Sequence, residues 1–209
     1  MFKDRAEAGQ KLARKLESYR GKDALVLALS RGGVVLGAEI AQALALPLDI
    51  IVTRKIGHPS NPEYAIGAVD EEGFSIWNQA EAVALNPKWL RAETAKRQAE
   101  ARRRSTLYRQ GRPPHHLDDK TVIIVDDGIA TGLTMRLAVQ AVRKTGAQKI
   151  VVAVPIAPLE AVLELKSEGA DEVVMLEPPE TFSGAVGAHY QEFEQVGDKE
   201  VIRLLKPKS

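Results

Sequence analysis

The sequence predicts an α/β fold in which a parallel β-sheet is flanked by helices. Short, continuous apolar runs at residues 24–29 and 122–125 have the composition of strands that are buried on both faces of a sheet. Helical patterns separate the apolar runs, and this alternation favours parallel strands with right-handed connections. A chain of 209 residues with 44% hydrophobic content can bury a proper core, so a single domain over residues 1–209 is expected.

The first part of the chain has the order helix, strand, helix, strand. Apolar residues recur at helical spacing over residues 3–19, which predicts a surface helix. The strand at 24–29 is followed by a helix over 34–45, which Pro47 ends. The next apolar run predicts a strand at 48–53, so these elements form a βαβ unit.

The middle of the chain, residues 57–86, departs from this alternation. Two β-prone runs flank a polar turn at residues 70–73, and this pattern predicts a β-hairpin at 64–77. A long and very basic helix is predicted next, over residues 87–111. The hairpin segment is therefore expected to be an insertion within the domain.

The second half returns to alternating strands and helices. It predicts strands at 122–125, 149–154 and 171–176 and helices at 131–145 and 158–169. The tail, residues 177–205, reads as irregular and contains Pro178 and Pro179. It is too long to be only a linker.

The composition excludes several classes of protein. A formal net charge of +1 argues against a general binder of nucleic acid or membranes. The absence of cysteine excludes disulfides, cysteine-ligated zinc and thiol catalysis, and four scattered histidines do not suggest a transition-metal site. No apolar stretch approaches the roughly 20 residues that span a bilayer, and no signal peptide opens the chain. A cytoplasmic location is expected.

The most informative segment runs from Val122 to Thr134. Apolar residues deliver Asp126 and Asp127 to the end of a strand, and a turn rich in glycine and threonine leads into a helix. Glycine lets the backbone approach a ligand closely, and the unpaired N–H groups at a helix start favour an anion. The two acids would repel a phosphate, so they should face a neutral, hydroxyl-rich group such as ribose, or a metal. This segment predicts a sugar-phosphate site.

Other readings of this segment are weaker. Strand–turn–helix units with capping threonines occur throughout α/β proteins, but an acid pair joined to this turn is much rarer. A P-loop requires a lysine before its serine or threonine, and this turn has none. Receiver domains carry their acid pair after the first strand, whereas Asp126 and Asp127 come far along the chain.

The segment resembles the phosphoribosyl pyrophosphate (PRPP) motif of type I phosphoribosyltransferases, which is two acidic residues followed by a glycine/threonine loop. The resemblance implies that Asp126 and Asp127 hold the 2′- and 3′-hydroxyls of ribose. It also implies that the 5′-phosphate is cradled by Gly128, Ile129, Ala130, Thr131, Gly132, Leu133 and Thr134. Mg²⁺ is the implied cofactor, and the two acids would reach it through water or through PRPP.

The ends of the first two strands carry further candidates. The loop after the first strand resembles the family's pyrophosphate loop and consists of Ser30, Arg31, Gly32 and Gly33. Two cations follow the second strand, where the ligands of open α/β sheets gather, so an anion is expected near them. In the family a basic residue after this strand contacts pyrophosphate, and the resemblance assigns that contact to Lys55 first and to Arg54 second. A tight turn and a solvated pair of cations are the ordinary alternatives. Catalytic roles are expected for Asp126, Asp127, Lys55 and Arg31.

Two further regions have counterparts in the family. The hairpin at 64–77 lies where the family has a mobile flap, but it lacks the family's usual Ser-Tyr pair, so no individual flap residue is assigned. The tail at 177–205 corresponds to a hood over the acceptor base. Aromatic faces suit stacking on a flat heterocycle, and Phe182, Tyr190 and Phe193 are the candidates, although they could equally be core residues.

The basic helix has three interpretations. It could be a solvated or dimer-facing surface, it could reach the substrate's phosphates across a dimer interface, or it could bind RNA. Glu93 and Glu100 interleave with its arginines and argue against RNA. We expect a homodimer and no nucleic-acid partner. His115 and His116, in a proline-flanked loop, are given no role.

The function implied by the resemblance is transfer of 5-phosphoribose from PRPP to a nitrogen acceptor, in the first place a nucleobase, with release of pyrophosphate. Family members that act on 6-oxopurines usually have an aspartate where Ala130 stands, so hypoxanthine and guanine are less expected. Adenine-type, orotate-type and non-nucleobase amine acceptors stay open. The main alternative is a regulator that senses PRPP on the same fold, with RNA as a further possible ligand.

Overall fold

The computed structural model describes residues 1–206, and residues 207–209, the last of the predicted domain, lie outside the described part. The parallel strands are β1 (Ala24–Leu29), β2 (Leu48–Ile51), β6 (Thr121–Val125), β7 (Lys149–Val154) and β8 (Glu172–Met175). A second group of strands is β3 (Thr53–His58), β4 (Asn61–Asp70) and β5 (Ser75–Trp77). The helices are α1 (Arg5–Lys15), α2 (Gly32–Leu44), α3 (Gln79–Val83), α4 (Pro87–Arg109), α5 (Leu133–Lys144), α6 (Leu159–Ser167) and α7 (Asp198–Leu204).

The main sheet has the strand order β2-β1-β6-β7-β8, and all four pairings are parallel. This confirms the predicted sheet. Ala28 of β1 lies opposite both Ile50 of β2 and Val125 of β6. The carboxyl ends of these three strands therefore meet at one edge, where the ligands of open α/β sheets bind.

Helices pack on both faces of the main sheet. Helices α5 and α6 pack on one face, where Val139 and Leu165 bury their side chains in one cluster with Ile124. Helices α1 and α2 pack on the other face, where Leu12 and Ile40 join Val125 in a second buried cluster. All six residues of β1 are buried, as a strand covered on both faces requires.

The predicted strand at 48–53 is wrong at its last two residues. Strand β2 ends at Ile51, and the chain then leaves the main sheet to form a separate antiparallel sheet of β3, β4 and β5, which we call the wing. Arg54 and Lys55 lie in β3 and not after the end of a parallel strand. The predicted hairpin at 64–77 is the β4–β5 half of this wing. The sequence misleads here because a continuous β-prone run hides a change of sheet at Val52.

The tail, which we call the hood (residues 177–205), is less irregular than predicted. It contains two short 3-10 turns and ends in α7. The start of the chain adheres to it, since Phe2 N donates to His189 O over 2.7 Å and Phe2 forms an isolated bridge with Tyr190. The hood is thus fastened to the N-terminus. Within residues 1–206, the structure has no helix with both the length and the apolar character to cross a membrane.

A buried ion cluster fastens the wing to the main sheet. Arg109, at the end of α4, donates to Asp49 of β2 over 3.1 Å and to Glu71 of the β4–β5 turn over 2.9 Å. Glu71 also accepts a hydrogen bond from Val52 N at the point where the chain changes sheet. Burial raises the pKa of Glu71, and the guanidinium of Arg109 opposes that rise. One arginine therefore compensates two buried carboxylates.

We predict that Arg109→Met lowers the free energy of unfolding by about 3–5 kcal/mol, because it removes the guanidinium group that both buried carboxylates contact. Urea denaturation near neutral pH measures this. Arg103→Met, at an exposed position of the same helix, is the matched control and should change stability by less than ~0.5 kcal/mol. Equal stability of the two variants would contradict the role of the cluster.

Candidate active site

A cleft of about 570 Å³ opens at the carboxyl ends of β1 and β6, between the wing and the hood. The predicted site residues that line it are Ser30, Arg31, Gly32, Arg54, Lys55, Asp126, Asp127, Gly128, Ile129, Ala130, Thr131, Gly132 and Thr134. Gly33 and Leu133 do not line it, since Gly33 packs against β6 and Leu133 lies in a small core with Ala68 of the wing. The structure thus brings nearly all of the predicted set to one cavity.

The loop after β1 lies against the acid pair. A Cβ atom at Gly32 would stand 1.9 Å from Asp127 Oδ2, and one at Gly33 would stand 2.5 Å from Val125 O. Both glycines are therefore required by close approach. The peptide bond between Ser30 and Arg31 is cis.

The two acids have different surroundings. Asp126 Oδ1 accepts a hydrogen bond of 2.9 Å from Asp127 N. Loss of water around Asp126, reinforced by the charge of Asp127, raises the pKa of the Asp126 carboxyl well above its ordinary value. Asp127 Oδ2 instead accepts a hydrogen bond of 2.7 Å from Arg5 Nε in α1. The pair therefore combines a desolvated carboxyl group whose pKa is raised with a second carboxyl group that accepts a hydrogen bond from a cation.

The backbone of the acid-pair loop is held by the hood. Tyr190, a buried hood residue, donates its hydroxyl to Asp127 O over 2.6 Å. Burial raises the pKa of Tyr190, which keeps the hydroxyl protonated as this donor role needs. Val186 packs on the neighbouring Gly128, where a Cβ would stand 2.5 Å from Val186 Cγ1. Gly128 has φ +151°, a backbone conformation that residues with side chains rarely adopt. Both this conformation and the contact with Val186 therefore disfavour any other residue at this position.

The glycine/threonine turn leads into α5 as the sequence predicts. Gly132 is the N-cap of this helix with φ +74°, a left-handed conformation that glycine adopts at little cost. The first N–H groups of α5 lie at this end of the helix, next to the cleft-lining Thr131 and Thr134. A helix start with two adjacent hydroxyls suits an anion such as a phosphate.

The cations of the cleft are not equivalent. Arg54 is paired with Glu100 of α4, and Arg31 lies 3.6 Å from Asp198 of α7. Lys55 is exposed, lines the cleft and forms no ion pair with any described residue. Lys55 is therefore the cation that a substrate could engage without breaking a contact within the protein. The basic helix also reaches the cleft, through Arg97.

The aromatic residues of the hood do not line the cleft. Phe182 stacks on His189 with ring centroids 6.0 Å apart, and Phe193 lies under the guanidinium of Arg5. Among the described residues, the only hood residue that lines the cleft is Val186. Sequence reasoning missed Arg5 and Val186. Arg5 looks like an ordinary surface cation of an amphipathic helix, and nothing local marks a partner that lies 122 residues away.

The parallel sheet with helices on both faces, together with the cleft at its carboxyl edge, defines an α/β protein of the type I phosphoribosyltransferase fold. The family model described as phosphoribosyl transferase domain matches residues 3–192. The chain belongs to this family.

The relatives of this chain agree with the family assignment. Two proteins of Mycobacterium tuberculosis, from strains H37Rv and CDC 1551, are provisionally named phosphoribosyl transferases and are 42% identical over 207 residues. These matches cover 98% of this chain and 46% of each relative, so the chain spans about half the length of the curated relatives it matches. A crystal structure of the protein TT1426 from Thermus thermophilus is 40% identical, with a TM-score of 0.82, and the match covers 98% of this chain and 97% of that one.

We predict that Asp126→Asn stabilises the protein at alkaline pH. The raised pKa means that the native state holds its proton more tightly than the unfolded state does. The stabilisation that this proton provides is complete at low pH and is lost as pH rises through the native-state pKa. Asparagine has no such proton to lose, and its side-chain oxygen can still accept from Asp127 N.

The melting temperature of Asp126→Asn should therefore exceed that of the wild type at alkaline pH, and the difference should shrink as the pH falls through the native-state pKa of Asp126. Asp118→Asn, at an exposed position, is the control for the replacement of a carboxylate by an amide. A wild type that is more stable than Asp126→Asn at alkaline pH would contradict the prediction.

Proposed function

We propose that the protein transfers 5-phosphoribose from PRPP to a nitrogen acceptor and releases pyrophosphate. The observation that carries this proposal is the convergence of three features on one cleft: the acid pair, the start of α5 and the unpartnered Lys55, which forms no ion pair within residues 1–206. Ribose hydroxyls, a monophosphate and a pyrophosphate are the three parts of PRPP that such features would bind. Membership of the phosphoribosyl transferase family supports the same reaction.

Each part of the cleft has a task in this mechanism. Asp126 and Asp127 would hold the 2′- and 3′-hydroxyls, and the N–H groups and threonines at the start of α5 would hold the 5′-phosphate. The C1–O bond to pyrophosphate breaks with its electron pair on the leaving oxygen, while the lone pair of the acceptor nitrogen forms the new bond to C1. The acceptor gives up a proton, which passes to solvent. Positive charge thus develops on the ribose and negative charge on pyrophosphate.

Electrostatics supply most of the catalysis. Lys55 and Arg31 would stabilise the leaving pyrophosphate, and a preorganised donor of this kind typically lowers the barrier by about 3 kcal/mol. The carboxylate of Asp127 favours the cation that develops on the ribose. The wing, which lines one side of the cleft, would help to keep water away from C1.

Mg²⁺ is the proposed cofactor, held indirectly. Within residues 1–206, no group of three or more acidic, histidine or cysteine side chains could hold a metal ion. Asp126 and Asp127, the second of which is already bonded to Arg5, would hold the metal indirectly, and their oxygen atoms suit a hard, hydrated cation. Bound there, Mg²⁺ would supply charge neutralisation for pyrophosphate.

The acceptor is limited by Ala130, which lines the cleft and is exposed. Its methyl group cannot take a proton from a base, so 6-oxopurines are disfavoured, while adenine-type and orotate-type bases and simple amines stay candidates. Homodimer formation stays a prediction.

Pyrophosphate release from PRPP and Mg²⁺ across a panel of nucleobases and amines tests the function. Turnover with one acceptor is the expected result. Binding of PRPP without turnover on any acceptor would favour a PRPP sensor, and failure to bind PRPP would refute the proposal. Rapid turnover of hypoxanthine would contradict the inference from Ala130.

We predict that Lys55→Met lowers kcat/KM for PRPP by about 100- to 1,000-fold, the usual cost of losing one donor to a developing charge. The melting temperature should change little, because Lys55 is exposed and forms no ion pair within the described residues. Steady-state kinetics measure the first effect. Lys88→Met, at an exposed position of α4, is the matched control. Equal kcat/KM for the two variants would contradict the proposed role of Lys55 in stabilising pyrophosphate.

A further inference from the structure

We infer that Arg5 is a positioning residue for the phosphoribosyl donor, acting through Asp127. The inference rests on the proposed function, in which Asp127 holds a ribose hydroxyl. Arg5 itself does not line the cleft. An effect of Arg5 on bound PRPP would therefore act through the carboxylate of Asp127, which Arg5 contacts.

Three contacts fix the guanidinium of Arg5. Its Nε donates to Asp127 Oδ2 over 2.7 Å, and its Nη1 donates to Glu194 O of the hood over 2.7 Å. The guanidinium carbon also lies 3.8 Å from the ring centroid of Phe193. A planar guanidinium can make such a fork and stack on a ring at the same time, whereas an ammonium group cannot. Arg5 thus links α1, the acid pair and the hood.

The Arg5–Asp127 pair is shielded from solvent. The exposed fraction of the side chain is 12% for Arg5 and 16% for Asp127, while exposed pairs of α1 such as Lys11–Glu7 are 38% and 36% accessible. Exposed pairs are worth little because water and salt screen them. The Arg5–Asp127 pair is shielded, and Arg5 also donates to Glu194 O and packs on the ring of Phe193. Its geometry is therefore held more firmly than that of an exposed pair. The contact therefore constrains the direction of the Asp127 carboxylate.

The position of Arg5 follows from the start of α1. Asp4 is the N-cap and accepts a hydrogen bond of 2.8 Å from Glu7 N, so Arg5 occupies the first helical position. Phe2, just before the helix, is bound to the hood backbone. These two anchors leave the Arg5 side chain directed at the acid pair.

The loop after β1 makes room for this pair. A Cβ atom at Gly32 would stand 1.9 Å from Asp127 Oδ2 and 3.1 Å from Arg5 Nε. The glycine of the proposed pyrophosphate loop thus borders the contact itself. Loss of Arg5 would release Asp127 Oδ2 next to this loop, and the carboxylate would no longer be aimed at a ribose hydroxyl.

Calorimetric binding of PRPP with Mg²⁺ tests the inference through a double-mutant cycle. Arg5→Met should weaken PRPP binding by about 10-fold or more, or ~1.4 kcal/mol. Arg5→Met placed in an Asp127→Asn background should add little, because the partner through which Arg5 acts is gone. Arg14→Met, at an exposed position of the same helix, is the matched control.

The outcomes separate this inference from the proposed function. If the wild type does not bind PRPP, both are overturned. If the wild type binds and Arg5→Met binds as Arg14→Met does, only the Arg5 inference falls. Full additivity of the two substitutions would also overturn it, because Arg5 would then act on folding or on the hood and not through Asp127. If Arg5→Met does not fold, Arg5→Lys takes its place in the cycle, with the same criterion of non-additivity.

Discussion

The structure depends on the close approach of two backbone segments at the carboxyl edge of the sheet. The loop that begins α2 and the loop that carries the acid pair emerge from adjacent parallel strands, β1 and β6. They can touch only because Gly32 and Gly33 have no side chains, since a Cβ at either position would collide with β6 or with Asp127. The loop after β1, which carries Arg31, can therefore lie beside the acid pair only if β1 and β6 are neighbours in the sheet and the loop contains these glycines.

The charges around the cleft divide into those that hold the protein and those left for a ligand. Arg109 compensates two buried carboxylates, Arg54 is occupied by Glu100, and Arg5 is occupied by Asp127. These pairs fasten α4, the wing and α1 to the site. Lys55, by contrast, has no ionic partner among the described residues and borders the cleft. The net charge of +1 over the whole chain therefore does not reveal that one lysine at the cleft is left without an ionic partner among the described residues.

How far the sequence predicts the site depends on how local each feature is. The acid pair and its turn are contiguous, so their residue types and spacing suffice to predict a strand, a turn and a helix start. The main sheet follows from alternating apolar runs. The prediction of the wing is wrong in part because the change of sheet at Val52 leaves no mark in a run of β-prone residues. The contact of Arg5 with Asp127 joins residues 122 positions apart, and no periodicity or motif encodes such a pair.

The aromatic residues of the hood illustrate the same limit and bear on acceptor recognition. In the sequence, Tyr190 and Phe193 look like surfaces for stacking on a base. In the structure, the Tyr190 hydroxyl donates to Asp127 O, and the ring of Phe193 packs against the guanidinium of Arg5. Both aromatic residues therefore support the acid pair from outside the cleft. Among the described residues, the hood contributes only Val186 to the lining of the cleft, and the turn contributes the small apolar side chain of Ala130. Both are apolar, so neither side chain can make a directional polar contact to a ligand, and such contacts would have to come from the polar groups that line the rest of the cleft.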